Sequence, residues 1–364
     1  MYESRPSLSG AVFPCQPSPA QPLGPIPHRF AWRLHVLQRP LSTAATLILL
    51  STSLCQAQTL KDAQWQRWLD ANKYAELERA AQERLKSQPD DGQALSALAL
   101  AVVEAGQNGK LDGVIPGLQT CIDKNPQAVC HYALGRVYGQ QAMTASVFKL
   151  PGLASNTKEQ FIKAVELDPL MFDARNGLTQ FYLLAPSIAG GSVSKAREVA
   201  AEAQAKQPEH ARILRFHIAA SERDWTAAEK ELSAVKPGDD KGLQNELRDA
   251  WSRLGTAHIE GKNFAKARQI FEALQRDYPS HAIGLYGLGR VLTAMEQPEE
   301  AIKALERART LEGGDRLPVD HRLGLALLAK DDKPAARVAL ERFVANKPAN
   351  PRNLDDAKKK LAEI

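Results

Sequence analysis

From about residue 61 onward, apolar positions recur at the three- and four-residue spacing of amphipathic helices, punctuated at regular distances by Gly and Pro. β-branched runs flanked by turn residues, the mark of strands, are nearly absent. The pattern also repeats at long range. Leu254-Gly255 recurs as Leu288-Gly289, 34 residues later, and as Leu323-Gly324, 35 residues after that. At one common offset behind these pairs stand Ala267, Ala301 and Ala336, and four residues further Phe271, Leu305 and Leu340. Pro279 and Pro348 close the first and third units, and Gly313 closes the second. Trp251 precedes its Leu-Gly pair by three positions, and Phe264 precedes Ala267 by three.

Each unit reads as two short antiparallel helices. A small residue is needed where their backbones approach most closely, and large apolar residues beside it fill the groove. Pro disfavours the α conformation in the residue before it and so ends the second helix. One such pair cannot bury its apolar face alone, so the units must stack. The pattern W-x2-L-G-x2-Y, then A-x3-F, then P resembles the tetratricopeptide repeat. The resemblance implies an all-α, right-handed superhelical solenoid.

Earlier units are looser. Leu134-Gly135 and Tyr138 fit a first helix, and Phe161, Ala164 and Pro169 fit its partner, with an insertion near 142–151 between them. Leu178 and Tyr182 pair with Ala196, Ala203 and Pro208 across an insertion near 185–192. Trp225, Ala228 and Leu232 mark another second helix; Leu98, Val102, Leu118 and Pro126 mark an earlier unit; Trp68, Tyr74 and Pro89 mark a degenerate first one. The expectation is about eight helix-turn-helix units within 58–364, closed by a lysine-rich capping helix from Asn353 to Ile364.

The first sixty residues differ in kind. Residues 1–40 carry eight prolines and no period, the composition of a disordered leader. Arg33 and Arg39 then precede an uncharged stretch with an apolar centre at Ala44–Leu50, and Cys55-Gln56-Ala57 ends it with small residues. Basic flank, short apolar run and small-x-small exit describe a secretory signal peptide over 41–57, cleaved after Ala57. The expected location is therefore periplasmic or secreted. An uncleaved anchor is disfavoured because Ser and Thr interrupt the run, and a lipoprotein through Cys55 because Leu54 is bulky where a small residue belongs. The long preamble suggests a true start near Val36 or Leu37. Of the +5 net charge, the first 57 residues supply most, with Arg5, Arg29, Arg33 and Arg39 against Glu3. The remainder is nearly neutral, without the basic stripe of a nucleic-acid binder.

Cys121 and Cys130 flank the turn at Asn125-Pro126, where one unit's second helix meets the next unit's first. Two readings stay open at this stage, a disulfide or two small core residues. No Cys or His pair has the spacing of a metal site, and no cofactor is expected. G-x-S-x-G, H-E-x-x-H, P-loop and dinucleotide fingerprints are all missing, so the chain does not read as an enzyme. Gly190-Gly191-Ser192 opens a helix and could cradle an anion, but Ser192 as a helix cap accounts for it.

The resemblance implies that first helices line a concave groove, with the second, fifth, ninth, twelfth and thirteenth positions of each unit facing it. The fifth positions are Tyr132, Asn176, Ser252, Tyr286 and His321; the ninth are Arg136, Gln180, Thr256, Arg290 and Leu325. Tyr132/Arg136 and Tyr286/Arg290 repeat one phrase, with Tyr and Arg on one helical face. The candidate partner-binding set is Tyr132, Arg136, Asn176, Gln180, Tyr286 and Arg290. The Lys/Asn carboxylate clamp of chaperone-binding relatives is not reproduced at these positions. The function expected is a binding scaffold for a protein or peptide partner in the periplasm or envelope. The alternatives are a small-ligand receptor associated with transport, with an apolar pocket at the insertions, and an envelope assembly factor acting through its outer surface.

Overall fold

The computed structural model describes residues 59–345 and 351–364. The leader and the apolar run over 1–57 lie outside them, as does Pro348. Among the described residues the chain forms seventeen α-helices, arranged as eight antiparallel pairs and a final single helix. The pairs are α1 (Ala63–Asp70) with α2 (Tyr74–Ser87), α3 (Gly92–Glu104) with α4 (Leu111–Lys124), α5 (Ala128–Ala142) with α6 (Leu150–Leu167), and α7 (Phe172–Leu184) with α8 (Val193–Gln204). They continue as α9 (Pro208–Ser221) with α10 (Trp225–Ser233), α11 (Lys241–Glu260) with α12 (Phe264–Asp277), α13 (Ile283–Ala294) with α14 (Pro298–Ala308), and α15 (Val319–Ala329) with α16 (Lys333–Ala345). The last helix is α17 (Pro351–Glu363). This is an all-α solenoid of eight units.

The joints between units follow from proline sterics. Gln88, Asn125, Asp168, Gln207 and Tyr278 each precede a proline, and each leaves helical geometry with φ between −152° and −129° and ψ between 63° and 90°. Polar caps then start many of the next helices. Asp91 accepts from the amides of Gln93 and Ala94, and Asp240 from that of Leu243.

Turns within units follow a second rule. Asn72, Gly106, Arg223, Lys262, Glu296 and Asp331 all have φ between 59° and 65°. In each case the next amide bonds back to the carbonyl five residues earlier, as Asn263 N to His258 O and Gln297 N to Leu292 O (2.8 and 2.9 Å). These are Schellman turns, which favour glycine because an L side chain is crowded at positive φ. Lys262→Gly and Glu296→Gly, at exposed side chains, are each expected to raise stability by about 0.5–1 kcal/mol in urea titration. A loss would mean that the side chain makes a compensating contact. Only the third and fourth units lack this turn, because the two insertions replace it.

Packing within units centres on aromatic rings clamped by glycines. A Cβ on Gly255 would lie 2.7 Å from the Phe271 ring, and one on Gly287, in the next unit, would lie 2.0 Å away. Phe161 is held likewise, with Gly135 at 2.8 Å and Gly177 at 2.9 Å. The glycines of two successive first helices thus make room for one ring of the second helix between them. A continuous apolar core runs from Leu60 to Val291, and a second covers the last units. The α17 helix seats Ala357, Leu361 and Ile364 against α16, while His321 Nε2 lies 2.7 Å from Asp356. It covers the last apolar face, as a cap must.

Cys121 and Cys130 are bonded, joining α4 to α5 over Gly92 at the start of α3. Closing this nine-residue separation contributes roughly 2–3 kcal/mol on the chain-entropy model. Reduction should lower the urea midpoint accordingly, and a free-thiol assay on the unreduced, denatured protein should find no reactive Cys121 or Cys130. Two thiols there would remove the bridge from the account.

The solenoid curves until its beginning meets its later units. Asp70 O accepts from Asn245 Nδ2 of α11 at 3.5 Å. Arg316, between α14 and α15, donates to Asn72 O and places its guanidinium 4.7 Å from the centroid of the Tyr74 ring. The concave face therefore closes around a central cavity.

Candidate functional site

The cavity has a volume of about 2000 Å³ and is lined by first helices from α1 to α11, together with both insertions. Its floor is polar and charged. Tyr132 and Arg136, one turn apart on α5, both face it; Arg136 Nη1 donates to the Tyr132 hydroxyl at 2.9 Å. The same guanidinium pairs with Glu104 of α3 at 2.6 Å. The Arg136 side chain keeps 33% of its surface accessible and lines the cavity. The phenolate of Tyr132 is disfavoured by burial, so the hydroxyl stays protonated through the physiological range.

On α7, Asp173, Asn176 and Gln180 follow at three- and four-residue spacing and so line one face. Asp173 accepts from the Thr59 hydroxyl, part of the strand of chain leading into α1. No cation lies within ion-pairing distance of it among the described residues. Burial pushes its carboxyl up to about 6, with Asp70, Glu104 and Asp240 adding to the effect and Arg136 opposing it. Glu246 of α11 is pushed up to about 7 for the same leading reason, burial, reinforced by Asp173 and Asp249 and opposed by Arg136 and Arg253. Asn176 Nδ2 donates to Glu246 at 3.5 Å, which ties α7 to α11 across the cavity floor.

Between these helices, α9 contributes His217, which is 6% exposed. Its Nδ1 lies 3.4 Å from Arg253 Nη1. A guanidinium only donates, so Nδ1 accepts and the ring proton resides on Nε2. Burial, aided by Arg253, lowers the imidazole to about 3, so it is neutral at every physiological pH. The cavity rim differs from its floor. Met143 and Val147 on the first insertion and Leu184 and Ile188 beside the second are largely exposed and line one side.

Four of the six residues read from the repeat register, Tyr132, Arg136, Asn176 and Gln180, come together in this cavity. Tyr286 and Arg290 do not line it. The Arg290 guanidinium lies 5.8 Å from the Tyr286 ring and donates to Thr256 Oγ1 at 2.9 Å, so this second Tyr/Arg phrase ties α13 to α11. His321 holds the C-terminal cap, and Ser192 accepts from the Lys195 amide at 3.3 Å as the cap of α8. Sequence reasoning missed Asp173, Glu246 and His217. Asp173 was legible, since it is the second position of its unit. Glu246 lies in the extra turn by which α11 precedes its repeat, where no register reaches. No group of three or more His, Cys, Asp or Glu among the described residues could hold a metal ion.

Residues 252–316 match the family model of the tetratricopeptide repeat. No curated protein matches the sequence. Among solved structures, yeast Tom70 is similar with a TM-score of 0.56 at 15% identity, over 80% of this chain and 60% of that one. The chain thus spans less than two thirds of the Tom70 chain. A tetratricopeptide repeat protein from Parabacteroides merdae ATCC 43184 gives a TM-score of 0.44 at 15% identity, covering 80% and 99% of the two chains. The APC/C hetero-tetramer Cut9-Hcn1 gives 0.44 at 17% identity, covering 82% and 54%. At these identities the likeness is one of fold.

Proposed function

We propose that this chain, a tetratricopeptide-repeat protein, is a non-catalytic scaffold that holds an extended segment of a protein partner inside the cavity closed by its own first six units. The observation that carries this reading is size. Small-molecule sites usually enclose about 300–1,000 Å³, whereas this one encloses about 2000 Å³ and is lined from α1 to α11. A length of peptide fits that volume better than a metabolite does. The setting we propose is the bacterial periplasm or cell envelope. The basic flank, apolar run and small-x-small exit at Ala57 support export, and the Cys121–Cys130 bridge suits an oxidising compartment.

Crosslinked capture from a periplasmic fraction tests the reading, with wild type beside the double variant Leu184→Ser, Ile188→Ser. Serine removes two exposed aliphatic side chains from the cavity rim and leaves the buried packing untouched. The expected result is a defined partner whose recovery falls at least fivefold with the variant, while circular dichroism stays unchanged. Equal recovery would place the contact elsewhere on the solenoid. A small-ligand receptor is the second reading, favoured by the exposed Met143, Val147, Leu184 and Ile188 beside the cavity. A co-purifying small molecule in native mass spectrometry, with no captured protein, would establish it instead.

A further inference from the structure

The cavity lining is nearly balanced in charge, but two of its carboxyls, Asp173 and Glu246, have no cation within ion-pairing distance among the described residues. Arg136 is committed to Glu104 and Tyr132, and Arg253 faces His217. Asp173 and Glu246 are left with only a hydroxyl and an amide as partners. Two further atoms in the same region are unpartnered: Asn176 Oδ1, an acceptor beside Glu246, and His217 Nε2, which carries its proton in a nearly closed environment. Leaving such groups buried and unmatched is unfavourable, by about 1–3 kcal/mol for each neutral one and more for a charge. A site that holds them is matched by a ligand that is a cation first and that also offers a hydrogen-bond acceptor.

We propose that the cavity selects a basic side chain, Lys or Arg, carried within an otherwise aliphatic extended segment. The cationic head sits between Asp173 and Glu246; Asn176 Oδ1 and His217 Nε2–H, both shielded before binding, turn toward the segment to accept from the head and to donate to a main-chain carbonyl. Aliphatic neighbours of the basic residue lie on the exposed Met143, Val147, Leu184 and Ile188. This assignment rests on the peptide-scaffold reading and gives the partner its chemistry. Charge complementarity chooses the basic head, because an acidic segment would meet two carboxylates. The exposed aliphatic rim chooses its neighbours, because a uniformly polar segment would leave that rim in water. A peptide supplies carbonyls at regular spacing, which a simple amine does not.

An array of random-sequence octapeptides, all N-acetylated and C-amidated, probed with the intact mature protein, tests the assignment. Bound peptides should be enriched in a single Lys or Arg flanked by Leu, Ile or Val. For the tightest of them, replacing Lys by norleucine should weaken binding at least tenfold by fluorescence anisotropy. Asp173→Asn with Glu246→Gln should weaken the Lys peptide by a similar factor and leave the norleucine peptide unaffected. Binding of peptides without basic enrichment, or equal binding of the Lys and norleucine forms, would overturn the assignment while leaving the peptide scaffold standing. Binding restored only by a free amino terminus would also overturn it, by assigning the acids to a terminal ammonium. No bound peptide at all would overturn both readings.

Discussion

The double variant Asp173→Asn, Glu246→Gln will be more stable than the wild type at pH 8, by about 1–3 kcal/mol, since both side chains are half-buried and solvent in the cavity screens part of the effect. Both carboxyls are held well above their ordinary range by burial, to about 6 and about 7. A group raised in the folded state binds its proton there while the unfolded chain has already released it. Its stabilising contribution is therefore complete below the unfolded values, near 3.8 and 4.5, and is lost as pH rises through about 6 and 7. The charged neighbours that set this are Asp70, Glu104, Asp240 and Arg136 around the first, and Asp249, Arg136 and Arg253 around the second. Because the Asp173 charge helps raise Glu246, removing both gains less than the sum of the two single effects. Asn and Gln resemble the protonated acids, so the advantage of the variant should vanish near pH 4 and reach a plateau above pH 7. Urea midpoints at pH 4, 6 and 8 check this, and a difference that does not change with pH would show that the two acids are solvated. Stability given up at a buried site points to a function for the charge that creates the loss.

Phe271→Ala should destabilise the protein by about 3–5 kcal/mol, the range for deleting a buried aromatic ring. Its side chain is fully buried and fills the space that Gly255 and Gly287 leave between two units. The loss therefore falls on a junction between units as well as on one helix pair, and α13 onward should separate from α11. The reciprocal change, Gly287→Ala, would set a methyl 2.0 Å from the unmoved ring and should destabilise by overpacking. The combination Gly287→Ala, Phe271→Leu should recover part of the loss, because the smaller side chain yields the space the methyl needs. Additivity in that double-mutant cycle would contradict direct contact between the two positions.

The repeat was legible because its signals are local and steric. Proline before a joint, glycine beneath a ring and small residues at crossing points are all written as residue types at fixed spacing. The eight units and the closing helix follow from them, as do the two places where the period is stretched. The site was only half legible. Register put Tyr132, Arg136, Asn176 and Gln180 on the inner face, but it gave the second Tyr/Arg phrase the same role. Whether a groove position opens onto the cavity depends on how far the superhelix has turned by that unit, which no single repeat encodes. At α11 the cavity is met by the leading half of the helix, including Glu246, and by Arg253 rather than Ser252 or Thr256. The raised acids were invisible for a related reason, since burial of Asp173 comes from Thr59 and from helices distant in sequence.

The seam where Asp70, Asn72 and Tyr74 meet Asn245 and Arg316 is made of a few polar contacts, whereas every other junction around the cavity is apolar and continuous. A solenoid whose first unit meets its later units in this way is a clasped ring. A chain segment inside it is confined topologically as well as energetically, and can leave only by sliding along the axis or when the clasp parts. How long a partner stays would then be governed by the opening of that one weak seam, so that loosening Arg316 would speed arrival and departure together while the equilibrium between them stays almost where it was.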